Sequence, residues 1–278
     1  MYRLLFILHE GYMLKSVQEI LLKEGISRTG MIDIGECDII NQRLLPNWAK
    51  SVIMFTIPYR TFETPSNDIF SEYSKIYDYH KFSKELYQRI LPVITEKTGF
   101  QFEGFCDHSP INEKLAAAKC GLGFIGRNSL FFDDIFGSFV FLGSIFTDGI
   151  CTFDAHEIRT CDDCGLCIKS CPNSAIITNG IDRNKCLSAI SQKKRKSNEE
   201  KTLLQKNKIA WGCDICQNVC PHNKDSQLSS IPYFYNTRTE KMNKQFILSL
   251  NEEEFQKYAF SYRGKKVVLE NLENIDKI

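Results

Sequence analysis

Long apolar runs are missing from these 278 residues; nothing approaches the roughly 18 apolar positions that a membrane-spanning helix needs. No secretory signal is read at the N-terminus, because "MYRLLFILHEGYM" holds only a five-residue apolar run and no small-residue cleavage site. Charge of one sign is absent as well. Lys and Arg number 35 against 34 Asp and Glu, a formal net charge of +1, so any nucleic-acid surface must be local. No dinucleotide-binding fingerprint and no Walker loop is read. There is no low-complexity tract, and no internal repeat beyond two cysteine motifs. The remainder is ordinary: 43% hydrophobic and 25% charged residues describe a globular chain, and its length suits roughly two domains. A cytoplasmic location without a membrane partner is expected.

Cysteine is what the chain has in excess. There are 12, and in a reducing compartment that many argues for metal rather than disulfides. "CDDCGLCIKSCP" places Cys161, Cys164, Cys167 and Cys171 in C-x2-C-x2-C-x3-C-P spacing; "CDICQNVCP" follows with Cys213, Cys216 and Cys220, and Cys186 lies between. A four-iron cubane needs four thiolates at tetrahedral corners. Two-residue spacings wrap three of them round one cluster, while the fourth cysteine of such a run reaches a different cluster. The expected ligand sets are Cys161, Cys164, Cys167 and Cys220 for one [4Fe–4S] cluster, and Cys171, Cys186, Cys213 and Cys216 for the other. Structural zinc is the rival, since two C-x2-C pairs suffice for it; the tight triple and the two Cys-Pro endings favour clusters. Cys37, Cys106, Cys120 and Cys151 share no ligand spacing and read as buried thiols behaving as small hydrophobes.

The clusters occupy a small part of the chain. From Met13, "MLKSVQEILLKEGI" places Leu14, Val17, Ile20 and Leu21 at helical spacing up to Gly25. The first twelve residues fit this helix poorly, which marks Met13 as a candidate start. "SVIMFTIPYR" (51–60) reads as a buried strand, Phe70 to Lys97 as a long amphipathic stretch, 116–132 as helix, turn and strand, and 138–148 as another strand. The expected organisation is an α/β (α+β) domain over 1–150, an inserted bacterial-ferredoxin-like domain over 151–225, and a segment over 226–278 that packs back on the first. A ferredoxin module carried this way is expected to feed an acceptor in the first domain. In "CDHSPINEKLAAAKCGLGFIGRNSL", Gly121, Gly123 and Gly126 would let backbone approach a large ligand, with Asn128 and Ser129 as polar ends. The plainer reading is a tight helix-to-strand connection.

That stretch, followed by "GSFVFLGSIFTD", "CDDCGLCIKSCPNSAI", "CLSAISQKK" and "GCDICQNVCPHN", resembles the epoxyqueuosine reductases in the same order. "IPYR" (57–60) and "DYHK" (78–81) are similar to that family too, so the likeness covers roughly residues 14–225, with a weaker echo at "YRGKKVVLENL" (262–272). The resemblance implies a cobalamin-binding fold, cobalamin beside two [4Fe–4S] clusters, and reduction of the epoxide of epoxyqueuosine at the tRNA wobble position. It also implies a low-potential reductant such as flavodoxin or ferredoxin; a monomer is expected. Asp107 matches the family's proton donor, and a raised pKa from partial burial is expected of it; the plainer reading is a cap for a helix beginning near Pro110. His108 and His80 are weaker candidates for the proton donor, and the plainer reading of each is an ordinary polar contact. By the same resemblance, cobalamin contacts are expected from Arg60, Gly121, Gly123, Phe124, Ile125, Gly126, Arg127, Asn128, Ser129, Ser188 and Gln192.

Lys193, Lys194, Arg195 and Lys196 form a basic run between cluster ligands, read either as a solvated loop or as a contact for tRNA phosphates. Departures from the family bear on substrate alone. Gln192 and Ser144 stand where acidic residues are usual, 193–208 lacks the common Gly and Pro, and no helical-repeat extension lies within these residues. Two other functions stay open: a corrinoid-dependent iron–sulfur reductase with another substrate, and a non-catalytic ferredoxin-type electron carrier.

Overall fold

The apolar run from Ser51 to Pro58 forms the strand on which the rest of the chain is built, and every one of its residues is buried. The computed structural model describes residues 2–64, 69–178 and 180–276. Helix α1 (Tyr2–Lys23) leads into β1 (Thr29–Asp33), β2 (Ser51–Pro58), α2 (Tyr79–Thr98) and β3 (Phe102–Phe105). Then come α3 (Glu113–Lys119), the short strands β4 (Gly123–Ile125) and β5 (Phe131–Asp133), and the long β6 (Val140–Thr147). Four strands make one sheet in the order β1-β2-β6-β3, with each neighbouring pair antiparallel. The mixed fold is therefore built on an antiparallel sheet, without the parallel crossovers of a doubly wound α/β domain.

Successive side chains of β2 point to opposite faces, and both faces are covered. Ile53, Phe55 and Ile57 pack with Met13, Val17 and Leu21 of α1 and with Phe82, Leu86 and Ile90 of α2. Val52 and Met54 pack with Ala116, Ala117 and Ala118 of α3. Two covered faces explain why this strand reads as a continuous apolar run rather than an alternation.

One local expectation needs correction, and two details go beyond the sequence reading. Helix α1 begins at Tyr2, so the twelve residues expected to fit it poorly are largely helical. The amphipathic stretch from Phe70 is divided: a 3-10 turn at Glu72–Lys75 precedes α2, whose N-cap Asp78 accepts from the His80 N–H and whose end is Gly99 at φ +77°. Strands β1 and β3 went unread, being short and lacking a clear alternation.

The cysteine-rich part carries α4 (Leu166–Ser170), the two-residue strands β7 (Ile176–Ile177) and β8 (Gly180–Ile181), α5 (Leu187–Ser191), α6 (Asn198–Lys206) and α7 (Ile215–Asn218). It is followed by α8 (Pro232–Asn236), α9 (Lys244–Ser249), α10 (Glu252–Phe255) and α11 (Lys265–Ile275). Ile231 and Phe234 join the core beneath α1 and α2. The rest of this last segment makes another core: Met242, Ile247, Phe255, Phe260 and Val268 enclose Trp211 and Phe70.

Candidate functional site

Helices α4 and α7 pack against each other and bring the two cysteine motifs together. Cys161, Cys164, Cys167 and Cys220 line one cavity, walled on its other side by Gly126, Arg127 and Asn128 of the β4–β5 turn. Cys171, Cys186, Cys213 and Cys216 gather as a second set. Burial, reinforced by the neighbouring thiols Cys213, Cys186 and Cys171, pushes Cys216 up to about 12, and burial does the same to Cys213. Free thiols in that setting stay protonated, whereas a bound cationic centre takes them as thiolates. The first set is the more open: Cys164 is exposed, its companions half-buried.

Both sets fit a cubane better than a lone ion. Among the described residues, no three His, Cys, Asp or Glu side chains converge as a single metal requires, whereas a four-iron cluster holds its thiolates further apart. Arg127 Nε supplies a second sign. It is buried in the wall of the first cavity without a hydrogen-bond partner, although the Asp163 carboxylate stands 3.3 Å away. A cluster with sulfide acceptors would add the hydrogen-bond acceptor that this nitrogen lacks beside its ion pair with Asp163. Cys37, Cys106, Cys120 and Cys151 join neither set, and burial raises the pKa of Cys37, Cys106 and Cys120.

The glycine-spaced turn proves to be both a structural and a bridging device. Gly121, Gly123 and Gly126 carry the G-x-G-x-x-G spacing of a dinucleotide fingerprint, but here a helix leads into a strand rather than the reverse, so it is no such fingerprint. A Cβ at Gly123 would stand 1.8 Å from the Phe132 carbonyl oxygen, and one at Gly121, where φ is +72°, would meet the His156 ring at 2.9 Å. Close packing accounts for both. Phe124 stacks on Phe132 and is buried against the hairpin. Asn128 Nδ2 donates to the carbonyl of Cys216 at 3.2 Å, which ties the turn to the second cysteine set. Ile125 and Ser129 face an open cavity of about 590 Å³, bounded also by Tyr79, Asp107, Glu113 and the β6 residues Val140, Phe141 and Leu142. A groove past Cys161 shares Ile125 and Ser129 with that cavity. One turn therefore touches both thiol sets and this open cavity.

Asp107 stands at the rim of this cavity with its side chain 67% exposed. It is no helix cap, because Asn112 caps α3 by accepting from the Leu115 N–H. Its pKa is also not raised. A hydrogen bond from His80 holds the Asp107 carboxyl below the usual range, more strongly than its partial burial raises it. His80 is pinned from both sides, with Nδ1 2.7 Å from Asp78 Oδ1 and Nε2 3.3 Å from Asp107 Oδ2. These two carboxylates push His80 up to about 9. In this cavity Glu113 does carry a raised pKa: burial, then the charge of Asp107, lifts it to about 8. Tyr79 stacks between His80 and Phe141, at 4.1 and 3.9 Å between ring centres. His80 was only a weaker candidate beside Asp107, and Glu113 was not expected in this role. The one available signal was "DYHK", whose aspartate and histidine here form the pair.

Other expected contacts lie elsewhere. Arg60 is buried and does not line the cavity; its guanidinium donates to the carbonyls of Phe62 and Glu63 and to Ser226. Ser188 lends its carbonyl to Ser191, and Gln192 accepts from the Tyr262 hydroxyl. The basic run is divided. Lys193 pairs with Glu200 at 2.5 Å, and Lys196 Nζ donates to the Lys193 carbonyl at 2.7 Å, so both brace the start of α6. Lys194 and Arg195 are exposed.

Comparison with known proteins places these features in context. Residues 40–108 match the family described as epoxyqueuosine reductase QueG, and residues 160–223 match the 4Fe-4S double cluster binding domain. The chain is 33% identical over 199 residues to an epoxyqueuosine reductase of Cellulophaga algicola, covering 70% of this chain and 65% of that relative. It is 32% identical over 239 residues to the enzyme of Leadbetterella byssophila, covering 83% and 76% respectively. An epoxyqueuosine reductase solved with an epoxyqueuosine-modified tRNA-Tyr stem loop superposes with a TM-score of 0.78 at 21% identity, over 95% of this chain and 81% of that one. The chain thus spans a little under two-thirds of the length of the first of these relatives. Among the described residues, no helix is long and apolar enough to cross a membrane. The cysteine-rich segment is a double [4Fe–4S] module.

Proposed function

Because the chain belongs to the epoxyqueuosine reductase family, we propose that it reduces the epoxide of epoxyqueuosine in tRNA to the alkene of queuosine. The observation that carries this reading is the β4–β5 turn, which touches both thiol sets and opens onto a cavity lined by Asp107 and Glu113, with His80 behind Asp107. Electron storage, a place for a large acceptor and a proton source thus adjoin one another.

The overall change takes two electrons and two protons; the three-membered ring opens, its oxygen leaves as water, and a carbon–carbon double bond remains. Cobalamin, when bound, supplies a strongly reducing centre for the carbon, fed by the two clusters. The chain's residues prepare the rest. Ile125, Phe131, Val140 and Leu142 offer an apolar wall of the kind a large planar cofactor needs, while Ser129 and Tyr79 add polar edges. One of the two protons is stored on His80, held as imidazolium by Asp78 and Asp107, and Asp107 passes it to the departing oxygen; solvent supplies the second. Asp107 is then the contact and His80 the reservoir.

The ligand sets of the two clusters are those gathered above, each with four cysteines. The exposed side of the first set, at Cys164, suits entry of electrons from a small soluble reductant, and Lys194 with Arg195 suits contact with tRNA phosphates. The chain is read as a cytoplasmic monomer with its modules at 1–150, 151–225 and 226–278.

The test is anaerobic reconstitution with iron, sulfide and cobalamin, followed by mass analysis of nucleosides from epoxyqueuosine-containing tRNA. Conversion to queuosine supports the reading. Corrinoid uptake without any loss of the epoxide oxygen would sink it.

A further inference from the structure

Asp107 sits in a backbone conformation that residues with a side chain rarely adopt. Its φ is +63°, and the His108 N–H donates back to the Cys106 carbonyl at 2.7 Å, closing a γ-turn with Asp107 at its centre. A γ-turn with positive φ at the middle residue is uncommon and strained, and such residues persist only where their surroundings over-determine them. Three contacts meet here. Cys106 Sγ donates to the Leu142 carbonyl at 3.2 Å, and the Asp107 carboxylate meets His80. The third grips the main chain itself: the Asp107 N–H donates to Glu113 Oε2 at 3.1 Å.

Glu113 is well placed to hold a turn. It is the first residue of α3, whose Ala116, Ala117 and Ala118 are buried against the central sheet, so its backbone is anchored in the core. Its other oxygen lies 3.5 Å from Ser144 Oγ on β6, and Ser144 in turn reaches the Phe105 carbonyl, just before the turn. One carboxyl therefore spans helix, sheet and turn. The acceptor duty does not need a charge, because a protonated or amidated side chain keeps a carbonyl oxygen.

We propose that Glu113 is a positioning residue that locks the strained turn, so that the Asp107 carboxyl stays at the rim of the cavity against His80. What Asp107 then does rests on the reductase reading; the grip on its backbone does not.

Hydrogen exchange followed by mass spectrometry on the reconstituted holoenzyme tests this in the peptide spanning residues 105–112, comparing wild type, Glu113→Gln and Glu113→Met. Met keeps the volume and removes the acceptor; Gln keeps both. Exchange in this peptide should quicken roughly tenfold in Glu113→Met, the factor expected for one lost hydrogen bond, and change by less than about threefold in Glu113→Gln. With active wild type, Glu113→Met should also lower kcat by about 10–100-fold at unchanged stem-loop affinity, with Gln restoring most of it. Equal protection in Met and wild type, or equal loss in Met and Gln, overturns the proposal. If the peptide loosens in Glu113→Met while wild type leaves epoxyqueuosine tRNA unreduced, the clamp stands and the reductase reading falls.

Discussion

His80 Nε2 lies 3.3 Å from the carboxylate of Asp107, and this pairing exchanges the acid–base roles that the two residues would have alone. A lone aspartate at a cavity rim would need burial to hold a proton at neutral pH. Paired with imidazolium, Asp107 stays ionised and His80 keeps the proton up to about pH 9. On the proposed reading, the pair would act as a relay with its reservoir one step back from the cavity.

The pH dependence of stability follows with a definite sign. The folded pKa of His80 is raised from 6.5 to about 9, so its contribution is complete below pH 6.5 and lost as pH climbs through 9. Glu113, raised from 4.5 to about 8, adds the same sign over a lower window. Thermal unfolding between pH 6 and 10 should therefore show a falling Tm that His80→Gln and Glu113→Gln each flatten. A Tm in either variant that tracks wild type across the range would remove that group from the titration.

Asp107→Asn keeps the shape of the rim and loses the group that hands on the proton. General acid–base catalysis contributes about 10²–10⁴-fold, so turnover should fall within that range, with iron content and stem-loop affinity unchanged. Since Asn112 is the cap of α3, no helix end is disturbed by the change. Wild-type turnover in this variant would show that the proton comes from solvent or from the tRNA.

The iron count checks the two thiol sets separately. Cys164→Ser and Cys216→Ser each remove one ligand from a different set, so each should lower the iron from about eight to about four per chain. Brown colour near 400 nm should persist at about half intensity in both. Complete loss of iron from either one would mean that the sets do not fold independently.

Local spacing made some of this legible in the sequence, and long-range contact hid the rest. The C-x2-C-x2-C-x3-C-P run specifies its own geometry within eleven residues, and Ser51–Pro58 betrays its burial because both faces of β2 are covered. Asp107 was legible as a residue but not as a titrating group, because its pKa is set by His80, 27 positions away. Glu113 gave no signal, since a glutamate at the first position of a helix is ordinary. Its meaning comes from a turn six residues earlier with an unusual φ. The division of the basic run was hidden for a related reason, in that four adjacent charges look equivalent in sequence until Glu200 claims one of them.

That division makes the final prediction sharper than one for the whole run. Lys194 and Arg195 are exposed, whereas Lys193 and Lys196 are bound to Glu200 and to backbone beside the capping box of Ser197 and Glu200. Phosphate contacts act through counterion release, each contributing to the slope of log affinity against log salt. Replacing Lys194 and Arg195 together with Ala should weaken stem-loop binding and reduce that slope, while Tm stays within about a degree, as for surface changes without partners. Replacing Lys193 and Lys196 should instead lower Tm by a few degrees, because α6 loses its brace, and leave the slope nearly intact. A salt slope that responds equally to both pairs would mean that tRNA pulls Lys193 away from Glu200 on binding, and the brace would then belong to the free protein alone.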